Sequence, residues 1–409
     1  MKRILVTPPA RVEATVQLPS SKSICNRVLI LHALAKGNDE IRNLSDCDDT
    51  QVMRDALRDM PPVIDIKAAG TAMRFLTAYL SVTEGTHVLT GTARMRQRPI
   101  KVLADALRTL GADIRYAGDE GFPPLEITGR KLAGNAVSLP GDVSSQYVSA
   151  LLMIGPVLEN GLRLTLTGEI VSRPYINLTL ELMREFGAQA GWVAENCIEV
   201  ASRPYVPRPY FVESDWSAAS YWYEIAALSG DARIALPGLF ESSFQGDAKV
   251  SELFERLGVH TSFRDGSVVL EKRGVPVARM EYDFVNQPDL AQTFVVTCAM
   301  LDVPFRFSGL QSLKIKETDR IAALIAEMRK LGFVLTETGG SVLSWDGTRC
   351  KGEFSPAIDT YEDHRMAMAF APAALKLKEL RVNHPEVVSK SYPRYWENLS
   401  EAGFNLTEE

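Results

Sequence analysis

The feature that most restricts how this chain can fold is a repeat period of 71 to 76 residues. A short helix-like run recurs at 106–111, 182–187, 253–258, 327–332 and 398–403, each closing on a glycine: Gly111, Gly187, Gly258, Gly332 or Gly403. Glycine at that place suits the left-handed residue that ends a helix. The strand-like stretches that follow turn at glycines such as Gly266 or Gly339-Gly340. A second kind of segment begins with small or polar residues and runs into a long apolar helix. Its copies start near Lys22, Thr71, Ser145, Trp216, Asp289 and Asp363, at intervals of 49, 74, 71, 73 and 74 residues. Both series predict six copies of one unit, each with two helices and several strands. The first interval falls about two dozen residues short and predicts a truncated first copy. The loss is expected between Met60 and Ile66, where Pro61-Pro62 replaces the helix–glycine–strand passage.

One such unit is too small to bury two helical faces alone, so copies must pack on one another. Three copies per half predict two similar globular domains, 19–213 and 1–18 with 214–409, within a chain of 409 residues. The breaks are placed at Leu18-Pro19-Ser20 and Val212-Glu213-Ser214. The strand expected from Arg11 to Leu18 then belongs to the C-terminal half, and the two crossings form a hinge. The alternative is one large α/β domain whose spacings coincide by chance.

Composition excludes several function classes. A net charge of −6 argues against a general nucleic-acid binder, so any anionic ligand must be held by local basic islands. No run approaches the roughly 20 apolar residues of a membrane span, and the apolar run Ile4-Leu5-Val6 is too short for a signal peptide. Cys25, Cys47, Cys197, Cys298 and Cys350 are scattered and never spaced as C-x-x-C. They read as reduced thiols, with no zinc site or disulfide framework. The expectation is a soluble cytoplasmic protein.

The helix starts also hold the unusual residues. Pro19-Ser20-Ser21-Lys22-Ser23 precedes the apolar run Val28 to Leu34, with Arg27 one turn in. Serines able to cap, free backbone N–H groups and two cations make an anion site. Arg74 stands beside Gly70-Thr71, Ser144-Ser145-Gln146 opens another helix, Asp289 follows Pro288, and His364-Arg365 follows Asp363. Arg98, Lys316-Glu317-Thr318-Asp319-Arg320 and Lys390 add charge outside these starts. If the helix starts converge on one groove, the expected ligand carries several negative charges, such as phosphate plus carboxylate. Each residue also has a plain reading. Glu317 and Arg320 could pair on a solvated helix start, Asp289 could be an N-cap, and His364 a core histidine. Ser144, Ser145 and Ser172 could be turn residues, and 94–98 exposed surface. Tyr361, Tyr392 and Trp396 are assigned to the core.

Taken together, Ser21-Lys22-Ser23-x-x-Asn26-Arg27, Gly70-Thr71-Ala72-Met73-Arg74, Arg98-Pro99-Ile100, Ser144-Ser145-Gln146, Val171-Ser172-Arg173-Pro174-Tyr175, Pro288-Asp289, Lys316-Glu317-Thr318-Asp319-Arg320 and Asp363-His364-Arg365-Met366-Ala367-Met368 occur in order over nearly the whole chain. In this the sequence closely resembles the 5-enolpyruvylshikimate-3-phosphate synthases, the shikimate-pathway branch of the enolpyruvyl transferases. The resemblance implies an α/β fold, a two-domain inverse α/β barrel with three βαβαββ units per domain. It also implies transfer of the enolpyruvyl group of phosphoenolpyruvate to the 5-hydroxyl of shikimate 3-phosphate, with release of phosphate, in chorismate and aromatic amino-acid biosynthesis. No cofactor, metal, nucleic acid or membrane partner is implied, and a monomer is expected.

By the resemblance, Ser144, Ser145 and Ser172 hold the phosphate of shikimate 3-phosphate. Ser23 and Arg27 take its ring hydroxyl and carboxylate region, with Tyr175 and Gln146 against the ring. Phosphoenolpyruvate lies among Lys22, Gly70, Arg98, Gln146, Arg320, Arg365 and Lys390. Asp289 accepts the proton of the attacking hydroxyl. Glu317, with Lys22 nearby, protonates the methylene carbon, and His364 and Lys316 support both. Two positions depart from the family pattern. Ala68 stands where Asn usually precedes Ala-Gly-Thr, and Ser312, expected to reach a substrate hydroxyl, replaces an Asn four residues before Lys316. The rival readings are the sister transferase that loads a UDP-amino sugar using a loop cysteine, and an inactive phosphoanion-binding scaffold.

Overall fold

A computed structural model describes residues 2–37 and 39–409. Its contacts divide the chain into two compact units, Lys22–Val212 and Met1–Ser21 with Glu213–Glu409. Each unit has a separate hydrophobic core.

In the first unit the helices are α1 (Lys22–Ala35), α2 (Asp48–Asp59), α3 (Gly70–Val82), α4 (Lys101–Thr109), α5 (Ser145–Ile154) and α6 (Arg173–Glu185). In the second they are α7 (Trp216–Leu228), α8 (Val250–Glu255), α9 (Ala291–Met300), α10 (Arg320–Lys330), α11 (His364–Phe370), α12 (Ala374–Leu377) and α13 (Tyr395–Glu401). The polar helix starts read from the sequence all open a helix of one kind. In α3, α7, α9 and α11 nearly every residue is buried, as it is from Ile24 to Leu31 of α1 and from Tyr147 to Ile154 of α5. Helices that are apolar all round can sit only inside the units. The glycine-ended helices α4, α6, α8, α10 and α13 are instead half-buried, with one apolar stripe. Gly111, Gly187, Gly258, Gly332 and Gly403 all have positive φ, the left-handed ending their spacing predicts.

The sheets repeat the same arithmetic. Among the described residues, five four-stranded sheets share one order, in which a parallel pair is extended by two further antiparallel strands. In one of them Ala136–Pro140 runs parallel to Leu162–Thr167, which pairs antiparallel with Cys197–Val200, and that strand pairs with Ala190–Ala194. The sixth copy is reduced to Ile41–Arg42 paired in parallel with Tyr210–Phe211. The truncation therefore falls where it is expected, after Met60, but it spares the helix. The helix is present as α2, ending on Met60 with φ 40° where the other copies have glycine. The missing part is the hairpin after it, because Val63–Asp65 already pairs with Gly85–Thr90 in the next sheet. A second difference lies at the chain ends. The strand expected from Arg11 to Leu18 spans only Val12–Thr15, while Arg3–Thr7 lies between Leu380–Asn383 and Asn405–Glu408 and completes the last sheet.

Gly129 ends the strand Leu125–Gly129 against the C-terminal end of α3, where an added Cβ would lie 1.6 Å from the Thr83 carbonyl oxygen. Gly129→Ala should lower stability by about 2 kcal/mol or more in urea unfolding, because backbone must move. Gly230→Ala, where nothing lies within 4 Å of the new Cβ, should stay within about 0.5 kcal/mol of the parent.

Candidate active site

The predicted residues fall into two groups, one in each unit. In the first unit, α3 packs closely on α5, and both pack on α1. Arg27, buried on α1, ties that helix to α5 and α6. Its Nε donates to Thr179 Oγ1 at 2.7 Å, Nη1 to the Ser23 carbonyl at 2.9 Å, and Nη2 to Ser149 Oγ at 3.1 Å and the Tyr175 carbonyl at 3.4 Å. Among the described residues, four of its five N–H groups thus donate to protein oxygens. Burial brings its pKa down to about 10. Lys22, the first residue of α1, lies 3.5 Å from the buried carboxylate of Asp49.

The second helix start, at Gly70, is built around arginines. Arg74 Nη1 donates to the Gly70 carbonyl at 3.0 Å, and its Nη2 to the Pro99 carbonyl at 3.4 Å. This ties the 94–100 loop to the end of α3. A Cβ on Gly70 would stand 2.6 Å from Arg98 Nη1 and 3.2 Å from Arg74 Nη1. Glycine there lets two guanidinium groups approach a helix N-terminus closely, which is anion-binding geometry. Gln146 joins this group by donating to Thr71 Oγ1 at 3.1 Å. Arg94 and Arg96 are exposed, as the plain reading holds, but Arg98 is half-buried. Ser144 caps α5 through the Gln146 N–H, and Ser145 is the first residue of that helix. Ser172, at φ 55°, precedes α6 without capping it, leaving its hydroxyl free of that task, and Tyr175 lies in the first turn.

The second unit holds a network of opposite charges. Arg320, almost fully buried, donates from Nε to Asp363 at 2.7 Å, from Nη1 to Asp289 at 3.3 Å and from Nη2 to Glu317 at 2.9 Å. Asp289 also receives Arg365 Nη2 at 2.7 Å and has Lys316 Nζ at 3.9 Å. Glu317 also receives Lys390 at 2.8 Å. Burial alone would lower the Arg320 pKa, but Asp363, Glu317 and Asp289 together raise it above the usual arginine value. Desolvation lowers the Lys316 ammonium, with Asp289 drawing it partly back up. Arg365 Nη1 reaches the Tyr221 hydroxyl at 3.2 Å, and burial raises that phenol to about 12.

Several plain readings give way here. The Glu317–Arg320 pair exists but Arg320 is buried, and the α10 cap is Asp319, which accepts from the Ala322 N–H. Asp289 sits inside the 3-10 turn Pro288–Leu290 and directs its carboxylate to the cations. His364, buried at the start of α11, has Nδ1 3.7 Å from Asp363. Ser312 stands on the turn Gln311–Ile315, and among the described residues no hydrogen bond joins it to the network. Tyr392 and Trp396 pack in or against the core as expected. Tyr361 does not, being 39% exposed with its hydroxyl donating to Glu327 at 2.6 Å. The sequence reading gave no separate role to Asp49, Asp363 or Tyr221. Only the carboxylate capping a cationic helix start marks Asp363 in advance.

The family model described as EPSP synthase (3-phosphoshikimate 1-carboxyvinyltransferase) matches residues 6–63 and 59–399. The chain belongs to the EPSP synthase family. It is 62% identical over 404 residues to the 3-phosphoshikimate 1-carboxyvinyltransferase of Bacteroides fragilis strain YCH46, covering 99% of this chain and 98% of that one. It is 38% identical over 430 residues to that of Cellvibrio japonicus strain Ueda107, covering 98% and 99%. The fold is also that of the EPSP synthase of Acinetobacter baumannii, with a TM-score of 0.79 at 22% identity over 100% of both chains. The enolpyruvyl transferase NikO of Streptomyces tendae shares it, with a TM-score of 0.75 at 16% identity over 100% of this chain and 99% of that one. The two-unit α/β architecture with repeated sheets is the fold of enolpyruvyl transferases.

The buried Arg320–Asp363 pair fixes the rest of the EPSP synthase network, since Asp363 also caps α11 through the Arg365 N–H at 2.9 Å. Asp363→Asn keeps a cap oxygen but removes the charge facing a buried guanidinium. Urea unfolding should show a loss of about 3 kcal/mol, the usual cost of breaking a buried pair. A change below about 1 kcal/mol, the range of a surface pair, would mean that the pair holds nothing.

Proposed function

We propose that this chain transfers the enolpyruvyl group of phosphoenolpyruvate to the 5-hydroxyl of shikimate 3-phosphate by addition and elimination. The observation that carries this reading is the spacing of two carboxylates around one buried guanidinium. Asp289 and Glu317 are 3.3 and 2.9 Å from Arg320, with Arg365 on the first and Lys390 on the second. Acid–base chemistry at two atoms needs two carboxyls in differing settings, and a departing phosphate needs several cations.

That arrangement supports the following steps. Asp289 takes the proton of the 5-hydroxyl while Glu317 gives a proton to the methylene carbon of phosphoenolpyruvate. The hydroxyl oxygen bonds to the neighbouring carbon, which becomes a tetrahedral ketal bearing phosphate and a methyl group. A proton then leaves the methyl group for Glu317, with Lys22 assisting, and the carbon–oxygen bond to phosphate breaks. Lys22, Arg98, Arg320, Arg365 and Lys390 stabilise the phosphate leaving as an anion, arginine being suited to bidentate contact. His364 and Lys316 support the acid and base. The first unit would bind shikimate 3-phosphate through Ser23, Arg27, Ser144, Ser145, Gln146, Ser172 and Tyr175, with Ser312 reaching a hydroxyl. The two units would act as domains, 19–213 and the remainder, closing at a two-chain hinge over both substrates and excluding water. The enzyme would work as a cytoplasmic monomer; among the described residues no helix is long and apolar enough to cross a membrane.

A phosphate-release assay with both substrates tests the reading, and turnover only with a UDP-amino sugar as acceptor would replace it with the sister reaction. Asp289→Asn and Glu317→Gln keep shape and lose the proton function. Each should lower kcat by about a hundredfold or more, the usual weight of a general acid or base, in protein still folded at the assay temperature, with some loss of melting temperature because Arg320 loses a carboxylate. Near-parental rates in either would remove that residue from its role. Gly70→Ala pushes on Arg98 and should raise KM for phosphoenolpyruvate about tenfold, roughly 1.4 kcal/mol. KM for shikimate 3-phosphate should move far less.

A further inference from the structure

One buried carboxyl beside the charge network has no part in the chemistry above. Asp247 lies in the 3-10 turn Gly246–Lys249 and is 2% exposed. The Ser217 hydroxyl, in the first turn of α7, donates to its Oδ2. The turn is fastened on both sides. Gln245 donates to the Ser214 carbonyl at 2.8 Å and accepts from the Trp216 N–H at 3.1 Å. Gln287, two residues before Asp289, donates to the Gly246 carbonyl at 3.4 Å, and its own Oε1 accepts from the Tyr282 hydroxyl at 2.8 Å. These bonds hold Asp247 next to the segment that carries Asp289.

The charges facing it come from several elements. Asp289 acts on it from the Pro288–Leu290 turn, Arg365 from α11, and Asp215 from the cap of α7. The Tyr282 phenol also feels it from the strand Met280–Asp283. On the α8 side Glu252 is paired with Lys249 at the surface. We propose that Asp247 is a positioning residue whose charge state sets how strongly Asp289 takes the proton of the attacking hydroxyl. The proposal rests on Asp289 being the base. Burial, with the Asp289 charge added, pushes Asp247 up to about 7, against the Ser217 hydroxyl and Arg365, which favour its ionised form. Below that pH Asp247 is neutral and Asp289 faces the cations alone. Above it, a second negative charge stands beside Asp289 and strengthens it as a proton acceptor, since like charges favour protonation of either partner.

The test is the pH dependence of kcat with both substrates saturating. The parent should gain turnover between about pH 6 and about pH 8, and Asp247→Asn, neutral throughout, should lose roughly threefold or more of that gain. A gain equal in the two proteins would overturn the proposal. Ser217→Ala removes a donor that favours the ionised carboxyl, so its rise should move to higher pH. An unmoved midpoint in Ser217→Ala would also overturn it, and this variant decides the matter if Asp247→Asn does not fold. A purely structural Asp247 would change stability or the height of the profile, not its midpoint. Failure of Asp289 as base would show instead as retained turnover in Asp289→Asn at every pH.

Discussion

A guanidinium with almost no access to water is expensive to bury unless each face of it meets a carboxylate. Arg320 meets that condition with Asp363, Glu317 and Asp289, and much of the second unit's polar architecture follows from it. Asp363 fixes the start of α11, which aims Arg365 at Asp289. Glu317 holds Lys390 from the turn Pro385–Lys390. Arg320 itself is the first residue of α10, so one side chain joins three elements of two repeats. The carboxylates that stabilise this cation are the groups the proposed chemistry uses as acid and base.

That double use has a consequence for the resting enzyme. In the second unit the cations expected to receive phosphoenolpyruvate, Arg320, Arg365 and Lys390, are already engaged by Asp289 and Glu317. On the proposed function, an incoming phosphate or carboxylate would compete with these internal carboxylates, and displacing them would free both to handle protons. In the first unit the division is different. Arg27 is largely spent on joining α1, α5 and α6, while Arg98 and Arg74 gather at the Gly70 helix start. The Gln146 amide joins that helix start through Thr71.

Much of this was legible in the sequence because the repeat leaves a local signature in every copy. Each glycine-ended helix needed a positive φ, and Gly111, Gly187, Gly258, Gly332 and Gly403 all have one. Each polar start before an apolar run became a helix. What could not be read depended on contacts between distant segments. The strand Arg3–Thr7 closes a sheet with residues near 380 and 405, and no local pattern announces such a pairing. The truncated copy lacks its hairpin and keeps its helix, and the ending was not legible because Met60 stands in the left-handed place that glycine marks in the other copies. Charge on a helix start is usually solvated, but Arg320 is buried, so its plain reading as a solvated helix start, offered beside its assignment to the phosphoenolpyruvate site, fails. Tyr361, next to a charged helix start, was read as core, but it is 39% exposed and donates its hydroxyl to the buried carboxylate of Glu327.

The central claim is that the methylene carbon of phosphoenolpyruvate becomes a methyl group by taking a proton from a residue in exchange with solvent. Running the reaction with shikimate 3-phosphate in D2O and weighing the product tests it directly. Addition followed by elimination must leave solvent deuterium on the vinyl carbon of the product, because the hydrogen removed is one of three on a freely turning methyl group. A product carrying deuterium at that carbon is the predicted result. A product formed at full rate with no deuterium there would contradict the account.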